Sequence, residues 1–120
     1  MRDLHFSYDA DGDVLYIAFD KGRKASSVSL NDQIILRFDA QTGEAVGLTV
    51  LDFSRLASAE EVLPLSRLDE FPAELRAKVW AILRSPPVSR YLHIVSPVDA
   101  RVPGASLVRQ FSLAELLLVA

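Results

Sequence analysis

Three carboxylates at alternate positions, Asp9, Asp11 and Asp13, surround Gly12 in the run Tyr8-Asp9-Ala10-Asp11-Gly12-Asp13. Hard cations take several carboxylate oxygens from one short loop, so these three are the candidate metal ligands of the chain. A helix-loop-helix calcium loop places glycine sixth and a bidentate glutamate twelfth. Counted from Asp9, the glycine here is fourth, the twelfth residue is Asp20, and an apolar strand run intervenes. An ordinary acidic turn therefore accounts for the same residues. His5 and His93 are the only histidines, and each lies in an alternating apolar and polar segment. Were their strands neighbours, they would meet Asp9 or Asp52 in an acid/base pair or a metal site. No motif adds a third ligand, and His5 falls on the polar side of its own segment. Asp39 and Asp52 each end an apolar run, where catalytic carboxylates are often found, yet turn formation and helix capping explain both more simply.

Other chemistries find no support. The chain has no cysteine, which removes thiol nucleophiles, thiolate metal sites and disulfides. No serine stands in a Gly-x-Ser-x-Gly elbow, and Gly12, Gly22, Gly43, Gly47 and Gly104 form no phosphate-cradling loop. Neither a catalytic residue nor a cofactor is assigned. Net charge is −3, with 6 basic and 11 acidic residues in 1–65 against 7 and 5 in 66–120. An acidic first half argues against nucleic acid, which demands a basic stripe. No apolar run reaches the length of a membrane span, and residues 1–7 contain no apolar signal core, so a cytoplasmic protein is expected.

The elements that must position these residues are short. Leu4, Phe6 and Tyr8 alternate with polar neighbours as a strand does, and Val14 to Phe19 reads as a central strand buried on both faces. Val28 and Leu30 alternate with serines in a thinner strand expected at an edge, followed by strands at 33–39 and 45–52. Two turns share one design: Phe6 to Asp13 and Leu36 to Glu44 each end a strand in aromatic-Asp-Ala, turn through glycine and restart with an acid. Aspartate bonds its own turn and glycine takes positive φ, so both read as hairpin tips. Five strands in about fifty residues predict an antiparallel meander. Gly47, inside a strand, marks a bulge or a close approach.

A helix follows from Phe71-Pro72-Ala73-Glu74, with Leu75, Val79, Ile82 and Leu83 on one face and Ser85-Pro86-Pro87 as its stop; a shorter one is expected at 53–57. Trp80 falls beside the apolar stripe, either a rim residue of the core or an interface anchor. Segments 91–95 and 105–111 read as strands, and Ser112-Leu113-Ala114-Glu115 as a capping box before the apolar end Leu116 to Ala120, which needs burial. The fold class expected is α+β: a five-stranded antiparallel meander over one main helix with a C-terminal strand and helix extension. The division expected is a meander at 1–56 and an extension at 57–120 packed on it as one unit.

These residues resemble a known family. Tyr8-Asp9, Asp13-Val14-Leu15-Tyr16-Ile17, Asp32 to Asp39, Gly43, and Val46-Gly47-Leu48-Thr49-Val50-Leu51-Asp52-Phe53-Ser54 are similar to the small bacterial and archaeal domain-of-unknown-function family 2283, over about residues 6–56. The resemblance implies a β-rich fold and carries no activity or catalytic residue. The chain departs from the pattern at Phe53-Ser54, where the family places a small residue directly after the aspartate.

Function is expected to be that of a non-enzymatic self-associating or protein-interaction domain, with a homodimer as the expected assembly, because the apolar end and an edge strand need covering and no catalytic set is visible. The alternatives are a small metal-dependent or acid/base enzyme using Asp9, Asp11, Asp13 and a histidine, and a small-molecule-binding regulatory module with a pocket between sheet and helix.

Overall fold

A computed structural model describes residues 4–20, 22–59, 63–95 and 104–107. Its main sheet contains β1 (His5–Asp9), β2 (Val14–Ala18), β3 (Ser26–Ser29), β4 (Ile34–Phe38) and β5 (Ala45–Leu51). All four pairings are antiparallel and the order is β1-β2-β5-β4-β3. The antiparallel five-stranded expectation holds, but the sequential meander does not. After β2 the chain crosses to the far edge, and β3-β4-β5 returns as a meander that closes on β2. This places β5, the longest strand, in the centre with a partner on both sides. The Val28 strand is an edge, as expected, and β1 is the other.

Period-two alternation sorts the strands onto two faces. Phe6, Tyr8, Leu15, Ile17, Leu36, Leu48 and Val50 point inward with Ile34 and Phe38. Covering them are α1 (Phe53–Ala59), α2 (Ala73–Leu83) and a second, three-stranded sheet of β6 (Leu63–Pro64), β7 (Leu92–Val95) and β8 (Gly104–Leu107), ordered β6-β8-β7. One core runs from Leu15 and Phe19 through Phe53 and Leu56 to Val79, Leu83, Leu92 and Ala105. The cover is thus shared, and α2 supplies only part of it. Tyr91, beside β7, stacks on Phe19 with ring centroids 5.9 Å apart and meets Phe6 edge-on at 5.8 Å. That contact buries its ring and holds its hydroxyl above the ordinary tyrosine range.

Helix α2 follows the sequence closely. Val79, Ile82 and Leu83 are buried, Leu75 and Trp80 half-buried, and Pro72 occupies the position before the first helical residue. Among the residues expected as strand at 105–111, β8 spans 104–107; residues 108–111, the capping box and the apolar end lie outside the described residues.

No described element packs over the other face of the main sheet. Val14 and Ala18 of β2, Thr49 and Leu51 of β5 and Ile35 of β4 surround Tyr16, which is 46% exposed at the middle of β2. This corrects the expectation that β2 is buried on both faces: its residues are apolar on both sides, but only the inner side is covered by described residues. Gly47 sits where two constraints meet. The register shifts between Arg37 and Phe38, which pair with Gly47 and Ala45, so Val46 is the extra residue of a bulge. A Cβ on Gly47 would stand 2.8 Å from the Ile17 carbonyl oxygen of β2, so the close approach is to backbone.

Candidate functional site

The first hairpin tip, with its three acids, is built as a fastening. Asp9 Oδ1 accepts the amides of Asp11 (3.1 Å) and Gly12 (3.4 Å), an aspartate bonding its own turn. Gly12 is needed for room, because a Cβ there would meet Asp9 Oδ2 at 3.2 Å. Positive φ falls on Asp13 (56°), not on the glycine, which corrects the sequence reading of this tip. Aspartate tolerates that conformation through its short polar side chain.

Asp13 then reaches 41 positions along the chain. Its Oδ1 accepts the Tyr8 hydroxyl (2.7 Å) and the Ser54 amide (3.0 Å), and its Oδ2 accepts the Ser54 hydroxyl (2.7 Å). Its backbone carbonyl accepts the Phe53 amide (3.0 Å). The first two amides of α1 are therefore satisfied by the hairpin tip, the role a local N-cap side chain ordinarily plays. Asp52, directly before α1, has φ 53° and lies 3.9 Å from the Arg55 guanidinium, so its carboxylate turns outward. Tyr8 also packs edge-on against Phe53 at 5.9 Å. Bonds from Ser54 and Tyr8 hold the Asp13 carboxyl below the usual carboxylate range, and the same bond to Asp13 raises the Tyr8 hydroxyl.

The second tip is fastened differently. Asp39 Oδ1 accepts the amides of Gln41 (2.8 Å) and Thr42 (3.2 Å), and Gly43 takes positive φ (76°), as read from the sequence. Arg23, from the β2–β3 connection, places one guanidinium nitrogen 2.6 Å from Asp39 Oδ2 and 3.3 Å from Glu44, and the other 3.2 Å from Asp20. This pairing lowers the Asp39 carboxyl and raises the Arg23 guanidinium. Lys78 of α2 donates to the Ala40 carbonyl (2.9 Å), tying the same tip to the helix.

The acids thus have separate tasks. Asp9 bonds its turn, Asp11 is exposed, and Asp13 faces Tyr8 and Ser54. Among the described residues no group of three His, Asp or Glu side chains is placed to hold a metal ion. His5 lies on the open face of β1 and His93 on β7 of the second sheet; their strands are not neighbours, and the acid/base pairing that sequence allowed does not form. Trp80 is a rim residue, half-buried against the core with the Arg84 guanidinium 5.4 Å from its ring centroid.

One residue was missed by sequence reasoning. Asn31-Asp32, between the strand runs that end at Leu30 and start at Gln33, reads in the sequence only as a turn, yet Asn31 is the buried polar side chain among those described, 6% exposed. Its Oδ1 accepts the amides of Gln33 and Ile34 (both 2.8 Å) and its Nδ2 donates to the Pro64 carbonyl (3.0 Å), joining the β3–β4 turn to the start of the second sheet. Its sequence signal, Asn-Asp between strands, marks the turn and nothing more.

No curated protein and no solved structure matches the chain. The segment that carries both tips, the Tyr8–Asp13–Ser54 cluster and the open sheet face agrees with the resemblance read from sequence: residues 5–54 match the model of the family described as Protein of unknown function (DUF2283).

Proposed function

We propose that the chain is a non-enzymatic, cytoplasmic assembly module that pairs with a second copy of itself through the open face of the main sheet. The observation that supports this reading is Tyr16, 46% exposed at the centre of that face and flanked by the half-buried Ala18, Ile35, Thr49 and Leu51. Aromatic residues are enriched where protein surfaces meet, and a sheet face with an apolar centre gains by excluding water.

The register argues for a second copy as the occupant. Across the strands the open face has three rows: His5, Ala18, Gly47, Arg37 and Ser27; Ser7, Tyr16, Thr49, Ile35 and Ser29; Asp9, Val14 and Leu51. Gln33 continues the third row, since the Leu51 amide bonds its carbonyl. A two-fold axis along the middle row sets each residue of that row on its own copy and the first row on the third. His5 then faces Asp9, and the side chain of Leu51 faces the bare backbone of Gly47. The basic residues His5 and Arg37 lie only in the first row and the acid only in the third, so the surface is complementary to itself. Such self-complementarity is what a two-fold interface requires, and sheets packed face to face lie about 10 Å apart.

Light scattering on a size-exclusion column tests this. The intact chain is expected at twice 13.3 kDa and Tyr16→Asp at once that mass, with an unchanged circular dichroism spectrum. A wild-type monomer at high micromolar concentration, or a Tyr16→Asp dimer, contradicts the proposal.

A further inference from the structure

We infer that the Asp11–Gly12 peptide of the first hairpin tip is a modification site, where aspartate converts to isoaspartate and loosens the fastening of α1. Two independent features single it out. Among the described aspartates, Asp9, Asp13 and Asp39 accept backbone amides, and Asp20, Asp32, Asp52 and Asp69 each face an arginine. Asp11 alone of them has a carboxylate without a protein partner, and the residue is exposed. Asp11 is also the only aspartate or asparagine in the chain that is followed by glycine.

The reaction needs no reagent but water. The Gly12 amide nitrogen attacks Asp11 Cγ; the N–Cγ bond forms, the Cγ–OH bond breaks, and water leaves with the amide hydrogen, closing a five-membered succinimide. Water then adds to the main-chain carbonyl carbon of the ring and breaks its bond to the Gly12 nitrogen. The chain thereafter runs through Cβ and Cγ of residue 11, and the former main-chain carbonyl becomes a free carboxylate. A side chain on the following residue would crowd the attack, and glycine has none. The nitrogen is also loosely held, since its bond to Asp9 Oδ1 is 3.4 Å, beyond the usual range of such bonds. The amides that follow Asp32, Asp52 and Asp69 are held at 2.8, 3.0 and 3.0 Å.

The lengthened main chain falls two residues before Asp13, whose φ of 56° and reach to the Ser54 amide and hydroxyl depend on the shape of this tip. It also moves apart the Asp11 and Gly12 amides that Asp9 Oδ1 accepts together. Isomerisation therefore undoes part of the cap that Asp13 supplies to α1, and an aged chain is less stable than a new one.

Incubating the intact chain in warm, mildly acidic water enriched in heavy oxygen tests this, followed by peptide mapping that separates isoaspartyl from aspartyl peptides. One heavy oxygen should enter residue 11 at least tenfold faster than any other aspartate of the folded chain. Asp11→Glu, whose ring would need six members, should stay unlabelled at that position and melt with wild type. The isomerised chain, isolated by ion exchange, should melt below the unaged chain and no lower than Asp13→Ala. The inference is overturned if another aspartate is labelled first, if residue 11 stays unlabelled in the folded chain while it reacts in urea, or if the isomerised chain melts with the unaged one. None of these outcomes depends on whether the sheet face pairs.

Discussion

Replacing Asp13 by alanine should weaken the whole fold, although Asp13 lies in a hairpin tip at the surface. The substitution removes the acceptor for the Tyr8 hydroxyl, the Ser54 amide and the Ser54 hydroxyl, and leaves an alanine at φ 56°. Losing a helix cap costs about 1 kcal/mol, and charge-assisted bonds in a half-exposed setting bring the total to about 2 kcal/mol. An alanine in the left-handed region adds roughly 1 kcal/mol. Unfolding entropy of about 2.1 cal/mol/K per residue converts these sums, for 120 residues, to about 4 °C per kcal/mol. Asp13→Ala should therefore melt about 12 °C below wild type, and Asp13→Gly, which accepts the backbone angle, about 4 °C above Asp13→Ala. Scanning calorimetry at pH 7 reads both. The folded carboxyl of Asp13 titrates below its unfolded value, so its contribution is complete above about pH 4 and is lost as pH falls further. The melting gap between wild type and Asp13→Asn should accordingly shrink as pH falls below about 4. An Asp13→Ala variant within 2 °C of wild type would refute the claim that this acid fastens the tip to α1.

Two further substitutions probe the scaffold. Gly47→Ala drives a methyl to 2.8 Å from the Ile17 carbonyl oxygen, and parting β2 from β5 to relieve it should cost about 1–3 kcal/mol by urea titration; an unchanged midpoint would show that the strands are not held so closely. Asn31→Ala leaves the Ile34 amide and the Pro64 carbonyl without their side-chain partner, a loss of about 3 kcal/mol. Hydrogen exchange should then quicken in both sheets, and a change confined to the β3–β4 turn would contradict the bridging role assigned to Asn31.

The parts of this fold that are local were legible in the sequence. Alternation and short apolar runs bounded by turns located all five strands of the main sheet, and the spacing of Val79, Ile82 and Leu83 located α2 within two residues. Gly47 was readable as an anomaly because glycine in a strand interior has no propensity to recommend it. What sequence could not disclose were the distant partners. The pairing of β2 with β5 depends on which neighbour best covers Leu15 and Ile17, and nothing in either strand encodes it. Likewise Asp13 gives no sign that its partner is Ser54, nor Asn31 that its partner is Pro64, because turn chemistry alone explains an aspartate or asparagine between strands. The acidic tip read as an ordinary turn with a cation site as the lesser alternative, and the structure turns two of its carboxylates onto the protein's own donors. Tyr16 was misplaced for a related reason: an unbroken apolar run suits both a strand covered on two faces and one whose second face awaits a partner.

The absence of cysteine allows that second face to be tested at a single atom. In a Tyr16→Cys variant the two-fold arrangement sets the introduced thiols of two copies face to face across sheets about 10 Å apart, too far for a direct disulfide but within reach of a short bismaleimide, so that reagent should convert most of the protein to a cross-linked dimer at micromolar concentration. An Asp11→Cys control, exposed beyond the open face, should stay monomeric under the same conditions. If the Tyr16→Cys variant remains monomeric, or cross-links no faster than the control, the open face is not where this chain meets itself.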